Sequence, residues 1–243
     1  MKLVHVGIII TTLVILLGVL SLTPAFLQVK PDKIILLSFS ISDSENLPEW
    51  CEDLSKFLNQ NSIKAVIFVT GKVAEQYPQC VSSYRSGIDI GSQTFSYVKL
   101  SEIPDYLEQL DEVKKGKSAV DKAGNLDSKI FKAPNGVTDE NIYSLLIRSE
   151  ILADFSYENQ YNKYYHDKFL KFNLVSFQGS NHDVGFFKDL NFHETPIMIH
   201  FDNTVPVNEI TDFISHLKSD EILFVNASEL TGLELTLRKE MLV

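Results

Sequence analysis

Residues 64–92, KAVIFVTGKVAEQYPQCVSSYRSGIDIGS, carry the pattern that sets the fold class. KAVIFVTG (64–71) is a short apolar run closed by Gly71, the mark of a buried strand. KVAEQYPQCVSSYRSG (72–87) reads as helical, broken near Pro78, where the ring removes a backbone donor. IDIGSQTFSYVKL (88–100) follows as a strand end, a turn and a loop.

The alternation extends both ways. KIILLSF (33–39) reads as a strand, and LPEWCEDLSKFLNQN (47–61) as a helix with Leu47, Trp50, Leu54 and Leu58 on one face. Pro48 suits its first turn. SEIPDYLEQLDEVKKGKSAV (101–120) is a helix with Ser101 or Asp105 as cap. SKIFKAP (128–134) is a strand and TDENIYSLLIRS (138–149) a helix opened by Thr138. ILADFSY (151–157), KFNLVSF (171–177) and TPIMIHF (195–201) read as three strands. VNEITDFISHLKS (207–219) is a helix and EILFVN (221–226) a final strand. Strands alternating with helices imply one α/β domain, residues 32–243, with a largely parallel sheet. Open sheet and closed barrel are equally compatible with that pattern. In parallel α/β domains the chemistry sits at the carboxyl ends of strands, which nominates the segments following each apolar run.

The chain has 243 residues, 44% hydrophobic and 22% charged, so it can bury a core. Its net charge of -10 and its lack of basic, aromatic-interleaved runs argue against a nucleic-acid partner. No charged residue occurs from Val6 to Val29. That stretch is long enough for a membrane span, so residues 1–31 read as a single-pass anchor built on one N-terminal hydrophobic helix. A cleaved signal peptide, with TPA (23–25) as its cleavage site, is the alternative and would give a secreted protein. Either way, the domain lies outside the cytoplasm. Cys51 and Cys80 could pair in an oxidising compartment, or stand as two separate thiols.

The segments at the strand ends resemble the polysaccharide deacetylase family, also called NodB-like or carbohydrate esterase family four. The likeness is strongest in AVIFVTGKVAEQYPQCVSSYRSGIDIGSQTFSYVKLSEI (65–103), similar to that family's strand, G-x-x-A-E-x-Y-P helix and metal-binding loop. KIFKAPNGVTDENIYSLL (129–146) resembles its R-x-P-x-G strand end. ILLSFSISDSE (35–45) stands where T-F-D-D-G is expected, and PIMIHFD (196–202) resembles a late His-bearing strand. The resemblance implies a distorted TIM-like barrel of about seven strands. It also implies hydrolysis of carbon–nitrogen bonds of N-acetylated sugars. In that chemistry a zinc-like ion, held by an Asp and two His, activates water.

The residues depart from the pattern at nearly every functional position. Ser40 stands at the base position and Ile41 at the ligand aspartate. Gln93 and Tyr97 replace the two histidines, and Lys132 replaces the Arg that orients the base. His200 alone is retained, at the acid position. An amide oxygen and a phenol are poor zinc ligands, and an isoleucine is none, so the expectation is no metal cofactor. Asp43, His182, Asp183, His193 and Asp202 are the residues from which a displaced site could be built. Asn135 and the aromatic segment 155–169, with Tyr157, add amphipathic surface of the kind that binds sugars, or form an ordinary half-buried loop. Asn226 opens a glycosylation sequon.

These readings lead to a membrane-anchored, catalytically silent deacetylase-like domain that contacts a cell-surface glycan. The alternatives are an active hydrolase of glycan amides and a structural partner in an envelope complex. The expected site is a shallow pocket with His200 accessible.

Overall fold

The computed structural model describes residues 33–136, 140–156, 170–171, 174–190, 196–219 and 221–232. The apolar stretch 6–29 and the aromatic segment 157–169 lie outside them. Among the described residues, no helix is long and apolar enough to cross a membrane.

Among the described residues, nine parallel strands form one sheet in the order β6-β5-β4-β3-β2-β1-β8-β7, with β9 (Ile222–Val225) also paired to β1. The central strands are β1 (Lys33–Ile41), β2 (Ala65–Val69), β3 (Ile88–Ser92) and β8 (Ile197–Asp202). The outer ones are β4 (Ile130–Phe131), β5 (Ala153–Asp154), β6 (Leu170–Lys171) and β7 (Val175–Gln178). KFNLVSF, read as one strand, contributes to two: β6 pairs with β5 at one end of the order, and β7 with β8 at the other. Lys171 and Val175 are joined by so little chain that they cannot be more than roughly 14 Å apart. The sheet therefore curls round until its ends approach, giving the distorted TIM-like barrel.

Helices cover the outside. They are α1 (Leu47–Gln60), α2 (Gly71–Gln76), α3 (Gln79–Ser82), α4 (Tyr106–Gly124), α5 (Glu140–Arg148), α6 (Val184–Asp189) and α7 (Val207–Leu217). Pro78 separates α2 from α3, as its missing donor requires. Asp105, rather than Ser101, caps α4: its carboxylate accepts from the backbone N–H of Leu107 (2.7 Å) and Glu108 (3.0 Å). Thr138 lies outside the described residues. A disulfide joins Cys51 of α1 to Cys80 of α3 across 29 residues of sequence.

Strand alternation sorts the core into two layers. Ile35, Leu37, Phe39 and Ile41 of β1 face the helices, packed in one cluster with Val69, Trp50, Leu54, Ile199 and Phe201. The other face of the central strands lines the barrel interior. There Leu36, Val66, Phe68, Met198 and Val225 form an apolar floor, closed by Ala227 and Leu230. Toward the carboxyl ends the inward stripe turns polar. Ser38 pairs in register with His200, and Ser40 with Asp202. The barrel thus has an apolar base and a polar mouth, and the mouth is where the nominated residues gather.

Candidate functional site

β1 delivers Ser40, the end of β4 delivers Lys132, and β8 delivers His200, all onto the inward face. Lys132 Nζ lies 2.8 Å from Ser40 Oγ, and 3.2 and 3.1 Å from Nδ1 and Nε2 of His200. All three side chains are buried: Lys132 is 1% exposed, Ser40 2% and His200 5%. Burial pushes the Lys132 ammonium down from 10.5 to about 7, with the nearby Asp202 carboxylate acting in the opposite direction. His200 is held well below its usual range, first by burial and then by Lys132, while a hydrogen bond involving the Ser38 backbone opposes the shift. That shift favours the neutral imidazole over the imidazolium that a general acid uses. The accessible His200 expected from sequence is not what the fold provides. Two basic groups are tolerated here because they pack against each other in low-charge forms beside polar partners.

The rest of the mouth is built from turns. Lys132 leaves β4 with its backbone N–H donating to Ser92 O at 3.2 Å, and Ala133 N–H donates to Ser156 Oγ at 2.8 Å. Ser156 in turn donates to Asp154 Oδ1 at 2.5 Å. Asn135 and Tyr97 both adopt left-handed backbone (φ 57° and 64°), uncommon for residues with side chains. The two meet: burial pushes the Tyr97 phenol up, the Asn135 backbone N–H stabilises its oxygen, and Asp202 adds a further upward push. Asn203, not singled out from sequence, closes the β1 and β8 loops together. Its Oδ1 accepts from Ser42 N–H (3.0 Å), and its Nδ2 donates to Ser42 O (2.9 Å). Ser38 was also missed, although it stands two residues before Ser40 and so on the same face.

The residues at the family's ligand positions do not fit a zinc-like ion. Ile41 is fully buried on the helix-facing side of β1, among apolar side chains. Gln93 donates its amide N–H to Phe68 O at 3.1 Å, tying it to β2. The Tyr97 phenol is held in its protonated form. The residues from which a displaced site could be built are otherwise engaged. Asp43 pairs with Lys72 at the surface (3.0 Å), and His182 stacks on Phe186 with centroids 4.3 Å apart. Asp183 caps α6, accepting from Phe186 N–H at 2.8 Å. Asp202 accepts from Thr204 N–H (3.0 Å) and Gln178 Nε2 (3.3 Å). His193 and Tyr157 lie outside the described residues. The Asn226 sequon is tied down, with Nδ2 donating to Gly87 O and only 8% of the residue exposed.

Three comparisons bear on this arrangement. Searched against curated proteins, the chain finds no match. Among solved structures it is similar to the peptidoglycan deacetylase PdaC from Bacillus subtilis, at 16% identity and a TM-score of 0.63 over 87% of this chain and 96% of that one. It is similar to a family 4 carbohydrate esterase from Streptomyces lividans, at 18% identity and a TM-score of 0.58, over 79% of this chain and 92% of that one. It is also similar to a CE4 family pseudoenzyme from Bacillus anthracis, at 13% identity and a TM-score of 0.57, over 82% and 66%. At such identities the likeness is one of fold. The family profile described as polysaccharide deacetylase matches residues 28–151, half of the sequence, and spans Ser40, Ile41, Gln93, Tyr97 and Lys132. With that match and the barrel together, the chain belongs to the polysaccharide deacetylase family.

Proposed function

We propose that the domain serves carbohydrate metabolism at a cell surface without the metal-dependent deacetylation of its family, and that it contacts a glycan through the polar barrel mouth. The observation that carries this reading is the side-chain set at the mouth. A Ser–Lys–His cluster occupies the base, Arg and acid positions, and Ile41 faces the helices at a ligand position. Water activation by a zinc-like ion needs anionic and imidazole ligands that this set does not offer. A solved structure described as a pseudoenzyme of this fold gives such a loss a parallel. Half-buried Tyr97 and exposed Asn135, both on left-handed backbone, supply the amphipathic contacts a sugar needs.

The apolar residues 6–29 hold the domain at the membrane, outside the cytoplasm, in this reading. The test uses the purified full chain in detergent. Its metal content is measured, and it is assayed for acetate release from, and for binding to, N-acetylglucosamine oligomers. The expected result is no stoichiometric metal, no metal-stimulated acetate release, and saturable binding. Stoichiometric zinc with chelator-sensitive deacetylation would overturn the reading, and absence of glycan binding would leave a structural role in its place.

A further inference from the structure

Ser40 and Lys132 are 92 residues apart in sequence, yet their Oγ and Nζ atoms stand 2.8 Å apart at the barrel mouth. That is a distance at which a hydroxyl proton passes directly to an amine. The pair is held from three sides. Ser40 is fixed in β1 between β2 and β8. Lys132 is anchored through its backbone to β3. The His200 ring, with its nitrogens 3.2 and 3.1 Å from Nζ, holds the amine toward the hydroxyl. A flexible lysine at a surface would sweep a wide volume; this one has been immobilised on a serine.

We propose that Ser40 is an acylatable nucleophile with Lys132 as its base, giving the domain a metal-independent acyl-transfer activity toward small acyl esters or amides. The proposal rests on the metal-free reading of the site. Lys132 Nζ, in its neutral form, takes the proton from Ser40 Oγ as that oxygen bonds to the acyl carbon, and the carbonyl π electrons move to its oxygen. On collapse the bond from carbon to the leaving oxygen or nitrogen breaks, and the Lys132 ammonium returns its proton to that atom. The product is an acyl ester on Ser40 and a neutral lysine. Water then attacks the ester, its proton passes through Lys132 to Ser40 Oγ, and the carboxylic acid departs. Ser40 is only 2% exposed, which restricts the acyl group to a small one.

Burial supports the assignment, since a lysine held at about 7 is substantially neutral near neutral pH. Among the described residues, the other titratable groups at this end of the barrel are His200 and Asp202 of β8, Tyr97 of the loop after β3, and Asp154 at the end of β5. His200 is neutral over the relevant range, so Asp202 is the neighbour that sets how far Lys132 is lowered.

The test treats the full chain, in detergent with excess chelator, with 4-nitrophenyl acetate or phenylmethanesulfonyl fluoride. The modified residue is located by peptide mass spectrometry. The expected result is modification at Ser40, absent in Ser40→Ala and slowed at least ~100-fold in Lys132→Met, the usual contribution of a positioned base. Its rate should climb about tenfold per pH unit below about 7 and level off above. Tryptophan fluorescence of Trp50 establishes that each variant is folded, and Lys132→Gln serves where Lys132→Met is not. An unmodified Ser40 in folded protein from about pH 6 to about pH 9 would overturn the proposal. So would modification that the lysine variants leave unchanged. Modification that appears only when the chelator is omitted would overturn the metal-free reading itself.

Discussion

Replacing Lys132 by Met should flatten the pH dependence of this protein's stability in a defined window. In the folded state burial holds Lys132 at about 7, against 10.5 for the same group in the unfolded chain. Below about 7 both states carry the proton, and the folded state bears the full cost of a buried ammonium. Between those two limits the unfolded chain binds one proton more than the folded chain, so stability rises with pH. The slope approaches about 1.4 kcal/mol per pH unit, which gives about 2 kcal/mol between pH 7.5 and 9.5. Few other groups interfere there. Both cysteines are in the disulfide and do not titrate. The lysines paired with carboxylates, Lys115, Lys117 and Lys129, are raised above 10.5 and act at higher pH. His200, well below 6.5, contributes its own rise only in the acid range. The assay is urea unfolding at constant ionic strength, read by the single tryptophan, Trp50, whose buried indole N–H donates to Val205 O. Wild type should gain stability across the window and Lys132→Met should not. Equal slopes in the two proteins would refute the claim that Lys132 is a buried amine in the folded state.

Other outcomes follow from the same geometry. The triple variant Ile41→Asp, Gln93→His, Tyr97→His should bind no zinc in a metal-content assay, because position 41 points into the helix-facing apolar layer. Its Ile41→Asp change alone should cost about 3 kcal/mol or more in urea unfolding, as a buried carboxyl without partners does. Reducing the disulfide between Cys51 and Cys80, which spans 29 residues, should lower stability by about 3–4 kcal/mol on loop-closure entropy, measured by urea unfolding with and without reductant.

Local pattern carried the elements well. Apolar runs bounded by Gly and Pro marked β1, β2 and β8, because a strand buried on both faces needs apolar side chains at successive positions. Helical periodicity marked α1 and α7, whose buried residues repeat every three or four positions. The order of the motifs was enough to bring positions 40, 97, 132 and 200 to one end of a barrel. It could not show that KFNLVSF divides between β6 and β7, since hydropathy is silent on which edge a residue pairs with.

The character of the site was decided by packing. In sequence, Lys132 and His200 suggest an open, solvated pocket, because charged groups are seldom left in a closed core. In the fold they are buried against each other and against Ser40, and burial itself removes the charge that made enclosure costly. Likewise, Ile41 is merely a lost ligand in the sequence, whereas strand alternation in the folded sheet turns it toward Trp50 and Leu54. A residue type and its neighbours in the chain determine local conformation. The proton affinity and reach of Lys132 depend on strands contributed from 92 and 68 residues away, and these come together only when the sheet assembles and curls.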